Sequence, residues 1–423
     1  MRLLHLIFPI AIVCCACSSK ENTVVAIPNL NTVRANLAFT CVHEAASLPP
    51  LNPEADSLFR YARHLHKVIG PKDFNEMARY YRIAAAHDHH KANRNLQLLL
   101  SRGQATSPNA QKETIGLAAR LIEQGIPGGY FDIAFYLGFG YGLKQDREMA
   151  LRYYRKAADL GNPEAQFYIS EQLAPWDKAP TIAAQMRACA ADQGHGRAAY
   201  IVGIYMRGDS NFPEAMRAFQ KGVAAGNALS ALELEHAFNG PPPYDELNYL
   251  ALPPDLERSR RYELIGAFID RHDGRNPKVP DIDQIVPFPP AKLPPWDGTF
   301  QWEKEYEAAV ASPPPKPSDE LINRLCKARN LDPATGLPIP PPPRAALGTL
   351  APTGERCPES GKWCVPEFKY LYEHATRHFR KGDPMPSLIT YSPRVFLWLD
   401  DWLGMRTKEW AVRWQLIAYD DEA

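Results

Sequence analysis

The sequence predicts a mainly α chain: an α/α superhelical solenoid, then a proline-rich arm, then a small aromatic α+β C-terminal domain. Three observations predict it. The phrase Arg79-Tyr80-Tyr81-Arg82-Ile83-Ala84-Ala85 returns 73 positions on as Arg152-Tyr153-Tyr154-Arg155-Lys156-Ala157-Ala158, two periods of a helical repeat. Gly125, Gly161, Gly194 and Gly226 follow Ala-rich amphipathic stretches at spacings of 36, 33 and 32, each where a helix calls for a left-handed C-terminal residue. After Gly240 prolines crowd the chain, and its end carries Trp398, Trp402, Trp410 and Trp414.

The 423 residues, 45% hydrophobic and 23% charged, have ordinary globular composition for two or three domains. Lys+Arg 48 balances Asp+Glu 48, which leaves no basic excess for phosphates and excludes nucleic acid as a partner.

Met1 to Val13 form a positively charged start and an apolar run too short to span a bilayer. The following Cys14-Cys15-Ala16-Cys17-Ser18-Ser19-Lys20 resembles a bacterial lipobox, with Cys14 departing from the leucine usual at its position. The resemblance implies a signal peptide over 1–16, diacylation of Cys17, a tether over 17–54 and an outer-membrane lipoprotein facing the periplasm. Lipidation at Cys15, or plain secretion with cleavage after Ala16, fits the same residues. Five thiols then remain, Cys41, Cys189, Cys326, Cys357 and Cys364, allowing at most two disulfides in an oxidising compartment. Cys357 and Cys364 are the expected pair, joined by a short loop of turn formers, and Cys189 reads as a buried small hydrophobe of an Ala-rich helix.

The repeat region is expected over 55–240. In 130–161, Ala134, Leu137, Gly138 and Tyr141 recur at helical spacing, and Ala150, Tyr153, Tyr154, Ala157 and Ala158 do so in a second helix. This pattern resembles the Sel-one-like repeat, a cousin of the tetratricopeptide repeat. Asn162 to Gly194 keeps Ala165, Ala183 and Ala190; 195–226 keeps Ala198, Gly203, Tyr205, Ala215, Phe219 and Lys221; Phe74 to Gly125 is a degenerate earlier unit. The resemblance implies four or five helix pairs and a concave binding face. In each tandem, Tyr80-Tyr81 and Tyr153-Tyr154, one ring is expected in the core and the other toward the groove, as a partner-binding residue.

Other phrases belong to the scaffold. Gly138-Phe139-Gly140-Tyr141-Gly142 follows a helical pattern rather than a strand, so it reads as an interhelical loop and not a dinucleotide cradle. His87, His89 and His90, with His64 and His66, read as a solvated helix end. His43-Glu44-Ala45-Ala46-Ser47 lacks the second histidine of a zinc protease motif. With no hydrolase, Walker or kinase phrase, no catalytic residue, metal site or cofactor is expected.

Pro241-Pro242-Pro243 ends the repeats, a helix spans Asp255 to Arg271, and a proline-dense arm fills the rest of 241–350. Ile285, Val286, Phe288, Leu293, Trp296, Phe300 and Trp302 are too apolar for a free linker, so the arm should pack on the solenoid. From 351 to 423, the turn residues Pro358, Ser360 and Gly361 suggest a hairpin, and the alternation Leu388, Thr390 and Trp410, Val412, Trp414, Leu416 suggests strands. Within it lies a cassette of two phrases, Gly354-Glu355-x-Cys357-Pro358-x-Ser360-Gly361-x-Trp363 and Arg377-x-Phe379-Arg380-Lys381-Gly382-Asp383-x-Met385-Pro386. This cassette resembles the terminal domain that accompanies Sel-like repeats in lipoproteins encoded beside type VI secretion phospholipase effectors. It also resembles related immunity proteins of polymorphic toxins. The resemblance implies an immunity protein, not an enzyme, whose partner is a phospholipase D-type toxin; a cell-envelope scaffold or adaptor is the alternative.

Overall fold

The structure, a computed structural model, describes residues 37–340, 343–369, 373–392, 395, 400 and 403–420. Two compact units divide the chain, through Pro338 and from Ile339 onward. In the first, helices pack on their sequence neighbours: α1 Pro53–Lys67, α2 Phe74–Ala86, α3 His90–Ser101, α4 Ala110–Glu123, α5 Pro127–Phe139, α6 Arg147–Asp159, α7 Pro163–Leu173, α8 Pro180–Asp192, α9 Gly196–Gly208, α10 Phe212–Ala224, α11 Ala228–Phe238 and α12 Leu256–Arg271. These make six antiparallel pairs, α1 with α2 through α11 with α12. The solenoid continues past Gly240 because the prolines there lie in the loop between α11 and α12, and α12 still packs on α11.

One turn joins each pair to the next. Gly125, Gly161, Gly194 and Gly226 have φ of 72°, 104°, 82° and 79°, and Asp88 holds the same place after α2 at φ 64°. The residue that follows donates its N–H back into the helix just ended, as in His89 to Ala84 O at 3.2 Å, Asn162 to Ala157 O at 3.0 Å and Asn227 to Gly222 O at 2.9 Å. This Schellman pattern satisfies carbonyls the helix end would orphan. At four of the five turns the same residue then caps the next helix: His89 Nδ1 accepts from Ala92 N at 3.0 Å, Asn162 Oδ1 from Ala165 N at 2.9 Å, His195 Nδ1 from Ala198 N at 3.1 Å and Asn227 Oδ1 from Ser230 N at 2.8 Å.

The proline-rich arm runs from the last pair back to the first. Val279, Ile282, Ile285, Val286 and Phe300 are buried against α10 to α12, with Phe288, Leu293, Trp296 and Trp302 around them. Proline leaves carbonyls without ladder partners, and two buried arginines of α12 supply donors: Arg258 reaches Pro287 O at 3.1 Å, and Arg261 reaches Ile285 O at 2.7 Å and Pro294 O at 2.9 Å. After the single turn α13 Ile282–Ile285 come α14 Gln301–Ala311, which touches α1, and α15 Asp319–Ala328. Ile322, Leu325, Cys326 and Leu331 complete the core of α1 to α3.

The second unit holds a four-stranded antiparallel sheet in the order β1-β6-β2-β3 and a β4-β5 pair. The strands are β1 Leu350–Pro352, β2 Gly361–Cys364, β3 Thr376–Phe379, β4 Leu388–Ser392, β5 Arg406–Trp410 and β6 Arg413–Tyr419. Trp363 and Trp414 fill its core. An added Cβ at Gly361 would sit 2.3 Å from Ala418 O, so only glycine lets β6 pair there. Trp398 and Trp402 lie outside the described residues.

The expected Cys357–Cys364 disulfide is corrected: both thiols are free and buried. Cys357 shares the core with Trp363, whereas Cys364 follows Trp363 along β2 and points to the opposite face. Burial pushes both thiols up. Cys189 is not an inert hydrophobe but is bonded to Cys41 across 148 residues, with Cα atoms 5.6 Å apart. The turn glycines test the geometry. An alanine at Gly125 meets no atom within 4 Å, and left-handed backbone alone should cost about 1 kcal/mol. At Gly161 the new methyl would lie 2.7 Å from Glu44 N, and urea unfolding should show Gly161→Ala losing about 2–3 kcal/mol.

Candidate functional site

Four of the first helices, α3, α5, α7 and α9, leave large apolar side chains in solvent. Leu98 of α3, Phe135 and Phe139 of α5, Tyr168 of α7 and Tyr205 of α9 are all exposed, Phe139 by 72%. Counted from each cap, they fall at the ninth, ninth, thirteenth, sixth and tenth positions, an i, i+3, i+4, i+7 set that defines one helical face. Tyr154 of α6 backs this face, with ring centroids 5.3 Å from Phe131 and 4.2 Å from Tyr168. Aromatic rings on a rigid helical face are the composition of protein-binding hot spots.

At one end of the face, Phe59 and Arg63 of α1, Lys91, Arg94 and Leu98 of α3, and Asp132 and Tyr136 of α5 line a cleft of about 490 Å³. Its floor is a closed network. Tyr136 donates to Gln97 Oε1 at 3.0 Å, Gln97 Nε2 donates to Asn93 Oδ1 at 2.8 Å and Asp132 Oδ2 at 3.3 Å, and Arg94 Nη2 to Asp132 Oδ1 at 3.3 Å. Burial raises the Asp132 carboxyl above the usual range, against the opposing pull of Arg94. Asp132 answers one of three cations, so the cleft favours an anionic group.

The structure moves several expected site residues. Tyr80 and Tyr81 are exposed by only 0% and 2%; both are core, because α2 is packed on one side by α1 and α3 and on the other by α15. Tyr154 is buried and Tyr153, packed near Tyr130, is half-buried, so this tandem splits into one core ring and one partly open ring. Cys17 lies outside the described residues. The histidine cluster is not a solvated end, since His89 and His90 are buried: His89 caps α3 and faces Asp56 at 3.2 Å. His90 is driven down to about 4 by burial first, then by His89, Lys91 and Arg94.

Sequence reasoning missed the segment 37–47. Residues flanking the rejected motif lie along the solenoid as a strap, held by the Cys41–Cys189 disulfide. Phe39 packs with Tyr130 and Tyr153, and Arg155 Nη2 donates to Leu37 O at 3.2 Å and Ala38 O at 2.9 Å. Glu44 supplies the cap α5 lacks: Ile126 offers no side chain acceptor, and the Glu44 carboxylate accepts from Gly128 N at 3.0 Å. Among the described residues one group of donor atoms is close enough for a metal, Cys41, His43 and Cys189 within 4.8 Å of one another, and the disulfide consumes two of the three. No helix among the described residues is long and apolar enough to cross a membrane.

With this geometry in place, comparisons bear on the chain. A family model described as a domain of unknown function, DUF6396, matches residues 230–339, the stretch from α11 through the returning arm. No curated protein matches. Among solved structures, one titled as an immunity protein of Pseudomonas aeruginosa is 27% identical over 60% of this chain and 95% of its own, with a TM-score of 0.47. A second immunity protein of that organism is 25% identical over 60% and 94%, with a TM-score of 0.49. A Sel1 repeat protein from Oxalobacter formigenes is 20% identical over 51% and 90%, with a TM-score of 0.41. The first unit folds as a solenoid of stacked helix pairs.

Two outcomes follow for the rings and for His90. Tyr80→Ala and Tyr81→Ala should each cost about 3–5 kcal/mol, while Phe139→Ala on the exposed face should stay within about 0.5 kcal/mol; thermal and urea melts separate them. His90 resists protonation in the fold but not in the unfolded chain, whose ordinary value is 6.5. The unfolded state therefore binds more protons between pH 6.5 and about 4, and stability falls as pH drops through that window. His90→Gln should flatten this loss in melts at pH 7 and pH 4.5.

Proposed function

We propose that this protein is an immunity protein: an outer-membrane lipoprotein, anchored through Cys17 and facing the periplasm, that binds and neutralises a phospholipase D-type toxin of type VI secretion. The observation that carries the reading is the C-terminal cassette. Its two phrases, quoted for their resemblance to immunity-associated domains, lie together in the fold: Cys357 N–H donates to Asp383 O at 2.7 Å, Gly382 N–H to Cys357 O at 2.8 Å, Met385 N–H to Glu355 O at 2.8 Å and Lys381 N–H to Ser360 Oγ at 2.9 Å. A motif that resembles a family in spacing and also closes into one hydrogen-bonded core is a folded domain, not a chance string.

The solenoid supplies the surface such a job needs. Inhibition that outlasts a toxin calls for a preorganised interface of about 1,500 Å² or more and nanomolar affinity, and the apolar face on α3, α5, α7 and α9 stands on packed helices and is already exposed. Tethering would concentrate the inhibitor where the toxin meets phospholipid.

The test expresses a phospholipase effector encoded beside this protein in the periplasm of a sensitive strain. Survival should require the exported protein and fail with a version confined to the cytoplasm. Cys17→Ala should abolish incorporation of a clickable fatty acid. A purified pair that neither binds nor changes phospholipid hydrolysis would leave the cell-envelope scaffold in its place.

A further inference from the structure

The strap is held by more than its disulfide, and what holds it has the form of a peptide-binding site. Gln166 Nε2 donates to Val42 O at 3.0 Å, and Gln193 Nε2 reaches the same carbonyl at 3.4 Å. Two residues on, Glu44 N–H donates to Gln193 Oε1 at 2.8 Å and to Gly161 O at 3.2 Å. The Glu44 carboxylate accepts from Gly128 N at 3.0 Å and from Asn162 Nδ2 at 3.2 Å. The chain thus reads one backbone carbonyl, one backbone N–H and one carboxylate, with donors and acceptors drawn from the start of α5, the turn into α7, α7 itself and the turn after α8. Gln166 and Asn162 are buried, and Gln193 Nε2 also donates to Gln166 Oε1 at 2.9 Å, which fixes both amides in the orientation that meets the strap.

None of the backbone contacts depends on the identity of Val42. The demands on a ligand are a backbone extended through His43 that turns into a single 3-10 turn, Glu44–Ala46, and a carboxylate at the place of Glu44, delivered to the positive end of α5. The lock is separate from the clamp: Cys41 is exposed while Cys189 is buried.

We propose that this clamp is a binding site for a carboxylate-bearing peptide segment that is extended and then turns at the carboxylate, filled in cis by residues 41–44 and locked by the Cys41–Cys189 disulfide, so that reduction opens it to a segment supplied in trans. The reductant is a dithiol. Its thiolate attacks the exposed Cys41 sulfur, the S–S bond breaks with Cys189 leaving as a thiolate, and the second thiol of the reductant displaces Cys41; two electrons pass to the protein, both cysteines end as thiols, and the reductant ends as a disulfide. This inference stands independently of the immunity reading.

Hydrogen exchange on the full chain, oxidised and after dithiothreitol, tests the lock. Amides of 37–47 should exchange about tenfold faster or more on reduction, with helical circular dichroism unchanged. A fluorescein-labelled peptide of residues 37–47 carrying Cys41→Ser tests the clamp by anisotropy. The cis strap competes at high effective concentration, so the acceptor is the full chain with Cys41→Ser, Cys189→Ser and Glu44→Ala, whose own strap is weakened. The peptide should bind this chain and not the oxidised wild type, and should lose about tenfold or more in affinity when its own Glu44 is alanine or when the acceptor also carries Gln193→Ala. Unchanged exchange on reduction overturns the lock. Loss of the helical signal on reduction does so too, because the bond is then a staple of the scaffold. Binding that ignores the peptide's Glu44, or no binding to the folded variant, overturns the clamp.

Discussion

Everything in the solenoid depends on one turn repeated between pairs: a left-handed residue ends the second helix, and its successor closes that helix and, except at Ile126, caps the next. Without the positive φ at Gly125, Gly161, Gly194 and Gly226, the chain could not reverse in two residues, and the first helix of the following pair would not lie against the pair before it. The turn brings the starts of first helices and the ends of second helices onto one line. That line of N–H groups and cap side chains is what the strap crosses, which is why Glu44 can serve Gly128 and Asn162 at once.

An open stack of helix pairs has two unsatisfied ends, and here one arm treats both. Residues 279–300 cover the last pairs, and α15 buries Ile322, Leu325 and Cys326 against α1 to α3. A proline-dense segment is suited to the journey because it stays extended without internal hydrogen bonds. Its bare carbonyls then fall to Arg258 and Arg261, each about 6% exposed. Burying two guanidinium groups is tolerable because they are hydrogen-bonded to those carbonyls and face Asp255 and Glu257.

The remaining exposed chemistry is uneven. The second helices spend their aromatic residues on the core, as Tyr80, Tyr81 and Tyr154 do, while the first helices keep Phe135, Phe139 and Tyr205 outside. Next to this apolar face sits the cleft of Arg63, Lys91 and Arg94. A surface combining exposed aromatic area with a localised positive charge suits a protein partner better than a small molecule, since the cleft's carboxylate and amides are already paired among themselves.

The sequence by itself determined the repeat, its turns and its two-helix unit, because those are local: helical period, small residues and left-handed glycines each act within a few positions. It also marked the arm as too apolar to be free. The first pair-to-pair turn escaped it because aspartate, not glycine, sits at 88, held by Arg120 at 2.8 Å and Gln124 at 2.7 Å. What only the tertiary structure decided is long-range. A tyrosine pair on one helix shows nothing of α15, whose Leu325 arrives from far along the chain to leave Tyr80 and Tyr81 without a free face. Cys41 and Cys189 meet across 148 residues, while the near neighbours Cys357, in the loop before β2, and Cys364, on β2, both stay free. Distance along the chain predicts contact where backbone geometry is local; a disulfide, a strap and a closing arm depend on how helix pairs stack, and stacking is a property of the whole fold.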